Sequence, residues 1–131
     1  MTSPPPELQQ LANAAPAYRL AALLLGSGVL HFVMPKPYDS IVPVELPGSQ
    51  RFYTQASGVA ELASGALLLS PRTRRVGALA AIAVFIGVFP ANINLIRLWR
   101  DKPLLMRLGA IARLPLQIPM ITSALKVYRN S

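Results

Sequence analysis

The chain has 131 residues, of which 53% are hydrophobic and 14% charged, and it contains no cysteine. Thirteen Lys and Arg against five Asp and Glu give a net charge of +8. Disorder requires low hydrophobicity, so this composition excludes a disordered chain, and a soluble domain would carry about 25% charged residues. The lack of cysteine excludes disulfide frameworks, zinc fingers and iron–sulfur sites.

Residues 1–15, which include a triple proline, are predicted to form an N-terminal tail, and residues 16–131 a single domain. Four apolar stretches follow the tail, and each has the roughly 20 residues that a membrane-spanning helix needs. The predicted spans are residues 17–34, 52–70, 76–99 and 104–128. The third contains VGALAAIAVFIGVF, which lacks the polar face that a surface helix of a soluble protein shows.

Short polar turns, PRTRR and RDKP, separate the last three spans. Because short connections force neighbouring helices to be antiparallel, the sequence predicts an all-α integral membrane protein, a four-helix up-down-up-down bundle. The first span is not preceded by a basic segment, and no small-residue cleavage site follows it, so we interpret it as an uncleaved helix.

The basic residues that flank the spans explain the positive charge, since Lys and Arg anchor helices at the membrane surface. They divide equally between the two sides of the predicted bundle. If Arg97 and Arg107 turn inward, the positive-inside rule places both termini in the cytoplasm, and a location in the plasma membrane is expected. No basic stripe with interleaved aromatic residues indicates nucleic-acid binding.

Polar residues interrupt the apolar spans at positions that fall in one half of the bilayer. At a helix rise of about 1.5 Å per residue, Glu61 and Arg113 both lie roughly 13 Å from the side on which Lys36 lies. We expect them to form the central ion pair of a small polar chamber, because neither charge is tolerated alone in lipid. A pair that only holds two helices together is an equally good interpretation.

The other predicted members of the chamber are His31, Asn92, Asn94 and Gln117. His31 could instead be a hydrogen-bonded histidine at the membrane surface, and the asparagines could serve only to link helices. Prolines should kink the third and fourth spans beside these residues, at Pro90, Pro115 and Pro119.

The segment between the first two spans, residues 35–51, reads PKPYDSIVPVELPGSQR and contains four prolines. It is too apolar for a free loop, so we expect it to fold over the polar end as a lid or to lie in the membrane interface. Tyr38 in this segment joins the predicted chamber.

The runs HFVMPKPYDSIVP, SGVAELASGALLLSPRTRR, FIGVFPANIN and RLPLQIP together resemble the DoxX-like family of small four-helix bacterial membrane proteins, and are closest to its actinobacterial type. The resemblance extends from about residue 19 to residue 126. It implies a four-helix membrane fold and an association with membrane redox systems, and distant relatives with this core act as membrane chaperones or cargo receptors.

Three functions are compatible with these features. The first is an auxiliary subunit of a membrane redox or respiratory assembly, in which His31, Tyr38, Asn92 and Arg113 could donate hydrogen bonds to a quinone. The second is a non-catalytic or chaperone-like assembly subunit, which docks to a larger membrane complex or to copies of itself. The third is a small transporter. The sequence contains no nucleophile–base pair, metal-ligand cluster or phosphate-binding loop, so no catalytic or metal residue is assigned.

Overall fold

The computed structural model describes residues 5–131, and within them the chain is all-helical. Its helices are α1 (Pro6–Val33), α2 (Pro35–Ile41), α3 (Gln50–Leu69), α4 (Arg74–Gly87), α5 (Phe89–Leu98) and α6 (Leu104–Arg129). The all-helical prediction is therefore confirmed. Residues 1–4 of the predicted tail lie outside the described residues.

Helix α1 begins well before the predicted start of the first span. Its first residue, Pro6, has the fixed φ that suits a first helical turn, so the end of the proline run opens the helix. Residues 6–15, which the sequence assigned to a tail, therefore belong to α1. The helix also continues through Pro16.

Three segments are long and apolar enough to cross a membrane, namely Ala14–Val33, Arg74–Leu98 and Leu104–Arg129. This supports the prediction of a membrane protein. The second predicted span, which becomes α3, has sufficient length but is less apolar than the other three. Its buried residues include Thr54, Glu61 and Ser64, so α3 directs polar side chains toward its neighbours.

The third predicted span is divided at Val88 into α4 and α5. Pro90 is the second residue of α5 and has no N–H with which to continue the hydrogen bonds of α4, which explains the break. The helix is thus interrupted where a kink at Pro90 was predicted. Helix α6, by contrast, continues through Pro115 and Pro119 as one helix.

Helix α3 packs against α1 and α4, while α6 packs against α4, α5 and α1. An apolar core fills one half of the molecule and includes Ala21, Leu24, Leu68, Ala81 and Phe85. Small residues bring the backbones together there. A Cβ added to Gly77 of α4 would lie 2.8 Å from the backbone nitrogen of Leu68 in α3, so only glycine fits at this crossing.

Candidate functional site

A cavity of about 170 Å³ lies among the helices, on the other side of Phe85 from the apolar core. Its lining includes six of the seven residues that the sequence assigned to a polar chamber: His31, Tyr38, Glu61, Asn92, Arg113 and Gln117. These side chains come from α1, α2, α3, α5 and α6. Apolar residues of α4 complete the wall, so the cavity has a polar side and an apolar side.

Glu61 is the buried acidic residue of this cavity, at 7% exposure. The hydroxyl of Ser27 donates a hydrogen bond to Glu61 Oε1 over 3.2 Å. His31 Nδ1 lies 3.0 Å from Glu61 Oε2 and 2.7 Å from the carbonyl oxygen of Ser27. Glu61 is therefore held by two side chains of α1 that lie one helical turn apart.

The predicted ion pair between Glu61 and Arg113 is wrong. Both residues line the cavity, but within residues 5–131 the only basic group within 4.0 Å of the Glu61 carboxylate is His31. Packing explains the difference, because α3 lies directly against α1, whereas α6 packs mainly against α4 and α5. Arg113 is exposed and also lines the cavity, so it stands at the rim.

A close approach of α1 and α3 puts His31 and Glu61 in contact. Gly58 lies one turn before Glu61 on α3, and a Cβ added there would be 2.9 Å from His31 Cβ. Real Cβ atoms do not approach so closely, so the glycine sets the distance between the two helices at the cavity.

Tyr38 covers the outer face of His31. The two rings are stacked, with centroids 3.8 Å apart and planes inclined by 20°. Because Tyr38 belongs to α2, this stacking brings the segment after α1 over the cavity. The segment is more ordered than the predicted loop: residues Pro35–Ile41 form a helix, and Gln50 already belongs to α3.

Asn94 does not line the cavity, in contrast to the prediction. Its side-chain amide donates a hydrogen bond to the carbonyl oxygen of Ile41 over 2.9 Å, and its oxygen accepts one from Arg97. Arg97 in turn forms an ion pair with Glu45. Since Asn92 and Asn94 are two residues apart, they cannot share a helix face, and only Asn92 turns inward. Asn94 instead fastens the end of α2 to α5.

A second ion pair fastens the same segment to α3. Arg51 Nε lies 2.8 Å from Asp39 Oδ2. Although desolvation acts to raise the pKa of Asp39, hydrogen bonds from Thr54 and Arg51 and the charge of Arg51 together hold that pKa below its ordinary value. We call residues 35–49, fastened in these ways, the lid segment.

Two buried acceptor atoms of the cavity residues have no hydrogen-bond partner in the described part of the chain. They are Glu61 Oε2 and Gln117 Oε1. His31 Nδ1 is close to the first of them, but it is engaged with the carbonyl oxygen of Ser27. Buried polar atoms are nearly always paired with protein or ordered water, so an exception in a cavity indicates a place where a donor, either a water molecule or a ligand, belongs.

Sequence reasoning missed several polar residues of the cavity. Thr54 and Ser57 line it and precede Glu61 by seven and four residues, so they lie on one face of α3. That spacing could have revealed them. Ser27 could be placed on the same face as His31 from the sequence, but its bond to Glu61 depends on the crossing of α1 and α3.

Within residues 5–131, no three His, Asp or Glu side chains come together as ligands for a metal ion. The cavity can act through hydrogen bonds and charge. It offers a carboxylate and a buried amide on the interior side and a guanidinium at the rim.

Fold and cavity together define an all-helical protein that has three segments long and apolar enough to cross a membrane and a partly polar interior cavity. Residues 20–128 match the family model "Domain of unknown function (DUF8561)", and the chain belongs to that family. The resemblance to the DoxX-like family is therefore wrong. Its motifs combined prolines, glycines and single polar residues, and helical membrane proteins use these for general packing and hydrogen bonding. No curated protein and no solved structure matches the chain.

Proposed function

We propose that this protein is a multi-span membrane protein that binds a small molecule in the cavity around Glu61. The single observation that carries the proposal is the unmatched oxygen Glu61 Oε2, buried in a cavity that also has an apolar wall. An ionisable residue inside a membrane protein is costly and marks a functional site by default. A cavity with one apolar side and a few converging polar groups is the general form of a ligand site.

In the proposed arrangement the chain crosses the membrane four times, as an up-down-up-down bundle. The four spans, in chain order, are α1, α3, the pair of α4 and α5 taken as one span, and α6. The polar residues of α3 do not argue against insertion, because Thr54, Glu61 and Ser64 are buried against neighbouring helices. An even number of spans places both termini on one side, which we propose to be the cytoplasmic side of the plasma membrane.

Single introduced cysteines test this topology, because the chain has none of its own. A cysteine at Arg129, the last residue of the last span, should react with a membrane-impermeant maleimide only after the cells are opened. A cysteine at Glu45, in the lid segment, should react in intact cells. Labelling of both positions from the same side would exclude four crossings.

Native mass spectrometry of the protein released from its own membrane tests the binding function. The substitution Ser57→Phe fills the cavity, because Ser57 lines it. Val59→Phe is the matched control, since Val59 lies on the same helix but is 59% exposed. We expect a small molecule to accompany the wild-type protein and the control, and to be lost from Ser57→Phe. Equal retention by both variants, or no bound molecule at all, would refute the proposal.

A quinone is a second candidate ligand, within an auxiliary subunit of a membrane redox assembly. One observation favours it: His31, Tyr38, Asn92 and Arg113, the donors that a quinone head group requires, all line one cavity beside an apolar wall. The association with redox assemblies was implied only by the resemblance to the DoxX-like family, and the match to a different family removes that support. A quinone also offers only acceptor oxygens, which leaves Glu61 Oε2 unmatched.

A purely structural assembly subunit is the alternative to a ligand-binding protein, whether its partner is a larger complex or a second copy of the chain. In that case Ser57→Phe would leave the recovery of partner subunits unchanged, while substitutions on the exposed face of α6 would reduce it. The proposed binding function predicts that the bound molecule depends on Ser57 and not on the exposed face.

A further inference from the structure

The cavity contains two opposite charges that do not pair with each other. Glu61 lies inside it, and Arg113 stands at its rim. Among the described residues, the ion pairs do not include one between these two groups, and Arg113 has none with any carboxylate. Charged groups inside a membrane protein are costly and are usually paired, so a ligand that pairs with both groups would lower that cost.

The inner end of the cavity requires a hydrogen-bond donor. Glu61 Oε2 and Gln117 Oε1 are both buried acceptors without a partner in the described chain. An ammonium group has three N–H donors and a positive charge, so it can satisfy both oxygens.

The rim of the cavity requires an anion. Arg113 presents a planar guanidinium, whose N–H groups match the paired oxygens of a carboxylate or a phosphate. The volume limits the size of what lies between the two ends. A cavity of about 150 Å³ holds one benzene ring, and this cavity has about 170 Å³.

We infer that the cavity binds a small zwitterion, whose primary ammonium group contacts Glu61 and Gln117 and whose carboxylate or phosphate contacts Arg113. This inference rests on the proposed binding function and specifies the class of ligand. The same chemistry is found in a free amino acid or phosphoethanolamine and in the head group of phosphatidylethanolamine. A quaternary ammonium group carries the same charge but no N–H, so it cannot satisfy Glu61 Oε2.

Three pairs of probes that differ only in N-methylation test the inference on the full chain. Glycine with glycine betaine and phosphoethanolamine with phosphocholine represent free ligands, measured by thermal shift and calorimetry in detergent. Nanodiscs of phosphatidylethanolamine or of phosphatidylcholine represent the lipid source, with retained lipid counted by native mass spectrometry. In at least one pair, the primary amine should bind about tenfold or more tightly than its methylated partner.

The variants Glu61→Gln and Arg113→Gln should each weaken binding by about tenfold or more. Glu7→Gln and Arg107→Gln are the matched controls, because Glu7 is exposed on α1, Arg107 is exposed on α6, and neither lines the cavity. Both controls should bind as the wild-type protein does. The comparison of methylated and unmethylated probes on the wild-type protein keeps the test decisive if a variant fails to fold.

Equal binding of methylated and unmethylated probes, or no binding of any pair, would overturn the inference. If the protein then still carries another molecule that Ser57→Phe expels, such as a neutral quinone, the proposed binding function stands and only the ligand class is wrong. If nothing is retained and Ser57→Phe changes nothing, the binding function fails as well.

Discussion

Replacement of Gly58 by alanine is the sharpest test of how α1 and α3 hold the cavity residues together. The added Cβ would lie 2.9 Å from His31 Cβ and 2.8 Å from a ring carbon of Phe32, where ordinary contact begins at 3.4 Å. The ring can turn away, but His31 Cβ is fixed to the backbone of α1. The two helices must therefore separate by at least about 0.5 Å, beside the contact between His31 and Glu61.

The cost follows from two opposing effects. Overpacking of a tight contact costs about 1–3 kcal/mol, while alanine in place of glycine within a helix gains about 0.5–1 kcal/mol. Gly58→Ala should therefore lower the free energy of unfolding by up to about 2.5 kcal/mol. Gly26→Ala is the matched control on α1, because nothing lies within 4 Å of the position of its added Cβ. That variant should be neutral or stabilised by up to about 1 kcal/mol.

Reversible denaturation in mixed detergent micelles measures both variants against the wild-type protein. Ligand retention should fall in Gly58→Ala and stay unchanged in Gly26→Ala. Equal stability of the two variants would refute the close approach of α1 and α3, and with it the account of how His31 reaches Glu61.

Two further predictions concern groups outside the cavity. Buried Arg74 donates hydrogen bonds to the carbonyl oxygens of Leu68 and Leu69 at the end of α3. Arg74→Gln should therefore lower the free energy of unfolding by about 1.5–3 kcal/mol, which is measured as a lower melting temperature in detergent. The exposed control Arg72→Gln should leave the melting temperature unchanged. The pKa of Asp39 is lowered in the folded protein, so the stability that its ion pair contributes is fully present above its ordinary pKa of 3.8 and is lost as the pH falls through the lower pKa of the folded state. Asp39→Asn should therefore speed amide hydrogen exchange in α2 at neutral pH. The difference in exchange rate between the variant and the wild-type protein should shrink in acid. Equal exchange rates at neutral pH would contradict the role of the ion pair.

Much of the fold follows from the length and hydrophobicity of the apolar stretches. The break in the third span was predictable because Pro90 lacks a backbone donor, whatever its surroundings. The continuation of α6 through Pro115 could not be predicted, because a helix tolerates a proline when the carbonyl groups that the proline frees find other partners. The helical start at Pro6 was also missed, since a proline run indicates an extended chain as readily as a first helical turn.

Six of the seven predicted residues line one cavity, but the sequence did not predict which of their side chains touch. Depth along each helix brings Glu61 and Arg113 to one level, and both do line one cavity. Which groups touch depends on which helices are neighbours, and the sequence does not state that α1 lies against α3. The position of His31 beside Glu61 depends on the crossing of α1 and α3 at Gly58, which is a property of the packed structure.

Glu61 should face an interior cavity that is completed by a ligand. An experimental structure of the protein purified from its own membrane would show whether it does. We predict density for a small molecule between Glu61 and Arg113, with the Ser27 hydroxyl on one carboxylate oxygen and the ligand on the other. A direct contact of the Glu61 carboxylate with the Arg113 guanidinium, or a Glu61 side chain turned toward lipid, would contradict the account.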